Sequence, residues 1–203
     1  MDFNILFSTS VFILITIMAP KSFHTVALEP IIFGLQNAAA VVRKGEAHVK
    51  ANDIDPNEYL TARLYPDMGD FCYQVYRFTD TAKFIVERSN PSAPTLTLPD
   101  EEKTFPELLA RIEKTLEYVR SIEVDLLDDR EDFEVVLHLL KHLPKGPLEV
   151  KFTAFEYVTR QAHPNFWFHV TTMYDILRHK GVSVGKMDYS NGAGLIPVKW
   201  LGA

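Results

Sequence analysis

From Ser22 to about Ala51 apolar residues recur every three or four positions, at Val26, Leu28, Ile31, Ile32, Leu35, Ala38, Ala39 and Val42. This spacing predicts an amphipathic helix, bent or restarted at Pro30. A second periodic run through Tyr59, Leu60, Leu64, Met68, Phe71, Val75, Phe78, Ala82 and Ile85 predicts a helix from Pro56 to about Glu87. Asp55 is its expected N-cap, and Pro66 its expected kink, near Asp67. Pro91, Pro94 and Pro99 make Arg88 to Lys103 a surface loop. Thr104 then opens a third helix with a capping box to Glu107, followed in helical register by Leu108, Leu109, Ile112, Leu116 and Val119. Between Phe133 and Phe152 the period changes to alternation on either side of Pro144-Lys145-Gly146-Pro147, the pattern of a small hairpin, with a short helical extension as the alternative for its first arm. A last long helix begins near Thr153, is expected to kink at Pro164, and stops at Lys180-Gly181. From Val182 to Ala203 the chain reads as irregular, with Trp200 and Leu201 as residues that dock back on the helices.

Composition narrows the partners. A chain of 203 residues suits one domain of ordinary size, and a net charge of -6 without any basic block argues against nucleic acid. Cys72 is the only cysteine, so no internal disulfide can form; this favours a cytoplasmic setting, and its apolar neighbours Phe71 and Tyr73 suggest a core residue. The apolar segment 1–17 has an acidic rather than basic start and is short for a membrane span. Three readings of it stand: an extension preceding a start at Met18, a leader or anchor that would direct the chain to the secretory pathway or a membrane, or a packed helix. The organisation expected is therefore an extension at 1–17, a helical domain at 18–189 and a tail at 190–203. The acidic run Asp125, Asp128, Asp129, Glu131 and Asp132 reads as a solvated turn, and His138 with His142 as surface histidines.

The densest chemistry lies between His163 and Gly181. The blocks Ala62-Arg63-Leu64-Tyr65-Pro66-Asp67-Met68, Pro164-Asn165-Phe166-Trp167-Phe168-His169-Val170-Thr171-Thr172-Met173-Tyr174, Ile176-Leu177-Arg178-His179-Lys180-Gly181-Val182 and Gly185-Lys186-Met187-Asp188-Tyr189 together resemble a domain-of-unknown-function family. It is grouped with the DinB/YfiT-like superfamily, and the likeness spans about residues 22–189. The resemblance implies an all-α, up-and-down four-helix bundle with a small β-hairpin before the last helix. It also implies a metal site, since many relatives hold Zn²⁺ or Ni²⁺ through one histidine on the second helix and a His-x-x-x-His pair on the last. On this chain the pair falls on Asn165 and His169, and the second-helix position falls near Asp67. No histidine lies on that helix, so any Zn²⁺ or Ni²⁺ would be held weakly.

Two function classes follow. In the first, Asp67 orients His169 as a general acid or base, Asn165 holds a substrate oxygen, and the chain is a small enzyme, an isomerase, cyclase or transferase, acting on a hydrophobic metabolite. Phe166, Trp167, Phe168, Phe71, Tyr73 and Tyr76 would wall its pocket. In the second, the same residues form a non-catalytic ligand-binding or accessory site, with a homodimer left open and membrane contact only through residues 1–17. Asparagine and histidine in such a helix also serve simply as satisfied groups that fix helix register. Arg63 is expected to pair with Asp67, His163 to lie at the surface, His179 to complement the helix dipole, and Arg178 to stack on Tyr174.

Overall fold

The computed structural model describes residues 21–139, 146, 148–199 and 201; residues 1–17, His142 and Trp200 lie outside them. Helix α1 (Phe23–Ala51) is capped by the Ser22 hydroxyl, which accepts from the Thr25 amide at 3.2 Å, and it runs through Pro30 without restarting. The predicted second helix is two elements. A short α2 (Asn57–Leu60), whose leading amide at Asn57 donates to Asp55 Oδ1 at 3.0 Å, is followed by an irregular stretch and then by α3 (Phe71–Ser89). The run is interrupted from Thr61 to Asp70, a stretch that includes Pro66, rather than kinked, and Asp70 supplies a new N-cap by accepting from the Tyr73 amide at 2.9 Å. Helix α4 (Phe105–Arg120) begins as its sequence predicts, with Thr104 Oγ1 accepting from the Glu107 amide; the Glu107 carboxylate accepts from the Lys103 amide at 2.8 Å instead of closing the box on Thr104.

Strands β1 (Glu134–Leu139) and β2 (Leu148–Thr153) pair antiparallel from Glu134 opposite Thr153 to Leu139 opposite Leu148, which is the expected hairpin. Thr153 and Glu156 form a reciprocal capping box that opens α5 (Ala154–Glu156), and the helix continues through a π-helical turn (Tyr157–Ala162) into α6 (His163–His179). The expected disturbance at Pro164 is thus a widened turn just ahead of it. The tail holds α7 (Lys186–Asn191), which packs on α1, where Lys44 pairs with Asp188. Leu201 is 92% exposed and does not dock.

Helices α1, α3, α4 and α6 form the bundle, in which α4 and α6 each pack on α1 and α3, and α1 and α3 also touch each other. Side-chain pairs give their directions. Phe71 meets Phe105 and Thr79 meets Arg111, so α3 and α4 run parallel; Gln74 meets His169 and Thr81 meets Asn165, so α3 and α6 run antiparallel. Strict alternation is therefore broken once, and the 90–104 segment crosses the bundle to make that break. At Gly34 of α1 an added Cβ would lie 2.5 Å from Phe166 Cε1 and 2.9 Å from Trp167 Cη2, so glycine allows α6 to approach closely.

The crossover is fastened by a charge with no exposed side-chain surface. Arg111, on the apolar stripe of α4, donates from Nε to Thr79 Oγ1 at 2.7 Å, from Nη1 to the Pro99 carbonyl at 2.7 Å and Glu102 Oε2 at 3.1 Å, and from Nη2 to Asp80 Oδ1 at 3.2 Å and Asp100 Oδ1 at 3.0 Å. Asp80 is also held by Arg77 at 2.9 Å and Lys83 at 3.1 Å.

Two outcomes follow from this packing. Gly34→Ala should lower stability by roughly 1–3 kcal/mol through overpacking against Phe166, read from the midpoint of urea unfolding. Arg111→Ala, which strands buried acceptors, should cost about 3–5 kcal/mol in the same measurement.

Candidate functional site at the α3–α6 seam

On α3, Gln74, Phe78 and Thr81 share one face at helical spacing; on α6, Asn165, Phe166 and His169 face them. Because the helices are antiparallel, these residues meet in three rungs. His169 Nδ1 lies 2.7 Å from Gln74 Oε1, the Phe166 and Phe78 rings meet edge to face at 5.9 Å, and Asn165 Nδ2 donates to Thr81 Oγ1 at 2.7 Å. The sequence brings Asn165 and His169 to this seam but does not reveal Gln74 and Thr81. Both lie on the buried stripe of α3 that also carries Phe71, Val75 and Phe78, and their helical spacing to those residues is the available signal.

The hydrogen-bond network fixes the chemistry of both polar rungs. Gln74 Nε2 donates to the Gly69 carbonyl at 2.8 Å, so Oε1 must face the imidazole, and His169 Nδ1 must carry the proton that it donates. Its Nε2 is left as a bare acceptor. Burial first, and then the charge of Arg77, push the His169 pKa down to about 4, so the ring is neutral at pH 7. In the other rung the Thr81 hydroxyl already donates to the Arg77 carbonyl at 2.8 Å and can only accept from Asn165. The Asn165 amide nitrogen therefore faces Thr81, and its Oδ1 has no protein partner among the described residues.

Other expected members lie elsewhere. Asp67 sits exposed in the turn between α2 and α3, off any helix, and the partner of His169 is Gln74. Arg63 donates to the Met68 carbonyl at 2.7 Å and reaches Asp70 at 3.4 Å rather than pairing with Asp67. His163 is half-buried against the Ala27 carbonyl at 3.0 Å, and burial lowers its pKa, so it is not a surface group. The Tyr174 ring packs edge-on against Tyr189 at 5.6 Å while Arg178 is exposed. His179 is exposed in the last turn of α6, as a charge complement to the helix end would be.

The expected aromatic wall is dispersed. Phe166 is buried against Phe78, Phe71 against Phe105, and Tyr76 beneath Arg111, whose guanidinium lies 4.9 Å from its ring. Only Tyr73 and Phe168, 43% and 56% exposed, flank His169, at 6.1 and 5.1 Å between ring centres. Cys72 is half-buried, and its thiol is pushed up to about 12 by burial and the neighbouring Asp70 charge, which makes it inert as a nucleophile.

A His₃-type metal site does not fit these groups. The seam offers one imidazole and two carboxamides; Gln74 Oε1 is already committed to His169, which leaves His169 Nε2 and Asn165 Oδ1, one fewer nitrogen donor than even the histidine pair of such a site. Among the described residues no three His, Cys, Asp or Glu side chains converge as metal ligands.

Comparison with known proteins agrees with the bundle and its hairpin. The model of a family described as a domain of unknown function, DUF1993, matches residues 23–190. The crystal structure of a DinB family member protein from Shewanella denitrificans is similar to this chain at 30% sequence identity and a TM-score of 0.71, covering 87% of this chain and 94% of that one. No curated protein matches. The matched span takes in all four bundle helices, the hairpin and both halves of the seam, and on that basis the chain belongs to the DUF1993 family and has a DinB-like fold.

Proposed function

We propose that the α3–α6 seam binds a hydrophobic small molecule through a hydrogen-bond donor that the ligand presents to His169 Nε2. The observation that carries this reading is the relay from Gly69 through Gln74 to His169, which holds the imidazole as a neutral acceptor between the partly exposed rings of Tyr73 and Phe168. Two aromatic rings beside one oriented polar group suit a ligand with an apolar body and one donor.

Between the two function classes, the geometry favours binding over proton transfer. A general base works best with a pKa near the working pH, and an imidazole held at about 4 is a weak base at pH 7. The exposed position of Asp67 removes the carboxylate that the catalytic reading placed behind the ring. The donor set likewise supports weak rather than tight retention of Zn²⁺ or Ni²⁺.

Nuclear magnetic resonance of the histidine rings should show His169 neutral from pH 8 to about pH 5, with its midpoint near 4. In the unfolded chain the ring takes up its proton near 6.5, so as pH falls from about 6.5 to about 4 the unfolded state binds more protons and stability declines. His163, whose pKa is also lowered, contributes with the same sign. His169→Gln should flatten part of that decline in thermal midpoint against pH.

The binding reading is tested with indole and N-methylindole as probes. Indole should shift the His169 Nε2 resonance and bind about tenfold more tightly than the methylated probe, the worth of one hydrogen bond. Equal affinities, or no change at His169, would sink the proposal. Metal analysis of the purified chain should find less than one Zn²⁺ or Ni²⁺ per molecule; one tightly held ion would overturn the weak-metal reading.

A further inference from the structure

Beside the Asn165–Thr81 rung a cavity of ≈ 150 Å³ lies between α3, the π-turn and β1, walled by Thr81, Arg88, Leu137, Tyr157, Gln161 and Asn165. The π-turn supplies three of its lining residues, Tyr157, Gln161 and Ala162. An i→i+5 turn adds one residue to the helical circuit and pushes its side chains outward, and such turns are frequent at functional sites. Here that turn supplies Tyr157, whose ring forms the buried floor, and Gln161, which is half-buried and makes no side-chain hydrogen bond among the described residues.

Arg88 is the charge in this cavity. Its guanidinium lies over Phe84 at 4.3 Å and over Tyr157 at 5.6 Å, and Nη1 donates to the Tyr157 hydroxyl at 3.1 Å. No carboxylate pairs with it among the described residues, and the segment after β1, residues 140–147, has no acidic residue in its sequence. A guanidinium fixed by two rings, with most of its five donors unused, is arranged to receive a planar carboxylate. Across the cavity, Asn165 presents an acceptor oxygen, because Thr81 has committed its nitrogen. Leu137 and Ala162 supply the apolar part of the wall.

We propose that this cavity is a binding site for a compact 2-hydroxycarboxylate. Its carboxylate pairs with Arg88 and accepts from the side-chain amide of Gln161, its hydroxyl donates to Asn165 Oδ1, and its short carbon chain rests on Leu137 and Ala162. A cavity of ≈ 150 Å³ that opens to solvent on one side suits a compact ligand of roughly the size of lactate. Among the described residues that line the cavity Arg88 is the one cation, and a single cation favours a monoanion over a phosphate dianion. The site shares Asn165 with the α3–α6 seam but does not depend on His169, so the two proposals fail separately.

The test uses the full chain and three probes: L- or D-lactate, propionate, which lacks the hydroxyl, and lactamide, which lacks the charge. Titration followed by amide resonances should show saturable shifts at Thr81, Gln161 and Asn165 with lactate. Propionate should bind about tenfold more weakly, and lactamide and inorganic phosphate should give no saturable shift. Arg88→Gln should abolish lactate binding; Gln161→Leu, at a side chain with no fold-stabilising bond, should weaken it severalfold with the thermal midpoint unchanged; His169→Gln should leave it intact. Equal binding of lactamide and lactate, or undiminished lactate binding by both cavity variants, would overturn the proposal.

Discussion

A guanidinium without solvent must be answered by carboxylates, and in this protein that requirement sets the rotation of α3. Arg111 draws Thr79 and Asp80 toward α4 and binds Asp100 and Glu102 from the crossover. With those residues committed to one side, Gln74, Phe78 and Thr81 are turned toward α6, since a helix presents positions three and four apart to the same neighbour. A buried ion group of this kind is weak evidence for stability, because desolvation offsets much of its attraction. Its consequence is specificity: it fixes which face of α3 meets which helix, and holds a long proline-rich segment across the bundle.

The same cluster reaches the seam electrostatically. Arg77 pairs with Asp80 and Asp100, has its guanidinium 5.1 Å from the Tyr73 ring centre, and helps keep His169 unprotonated. The imidazole is thus governed from two directions. Gln74 selects its tautomer, and burial with Arg77 selects its charge. Neither influence comes from a carboxylate, and this separates the seam from acid–base sites in which an acidic side chain raises the basicity of histidine.

Much of the fold is legible in local patterns. Periodicity and capping chemistry locate α1, α4, the hairpin and the last helix, because each boundary is set by residues within a few positions of it: Ser22, Thr104, and Thr153 with Glu156. The second helix is misread because Leu64 and Met68 keep helical spacing through residues 61–70, which are not helical and contain Pro66, while the true start of α3 is signalled only by Asp70. At the site, Asn165 and His169 are readable as a pair one turn apart on α6. Gln74, Thr81 and Arg88 are not, since they matter only through a tertiary neighbour, and the pairing of α3 with α6 depends on Arg111. Arg111 did leave a trace: it is a charge on the stripe that also carries Leu108, Ile112 and Leu116.

Pro164 and the π-turn together have a consequence for chain length. Helix α1 carries Pro30 without a break, whereas ahead of Pro164, which has no amide to bond the carbonyl four residues back, the chain takes an i→i+5 turn with one additional residue. One residue of α-helix corresponds to about 100° of rotation and ~1.5 Å of rise. The core stripe of α6 is locked against α1 and α3, so losing that residue would swing the β1–β2 hairpin around the helix axis and carry Leu137 away from the cavity. A single-codon deletion at Thr159 or Arg160, which neither line the cavity nor belong to the core, would therefore act as a hinge setting, removing one wall of the cavity while leaving every residue that lines it in the chain.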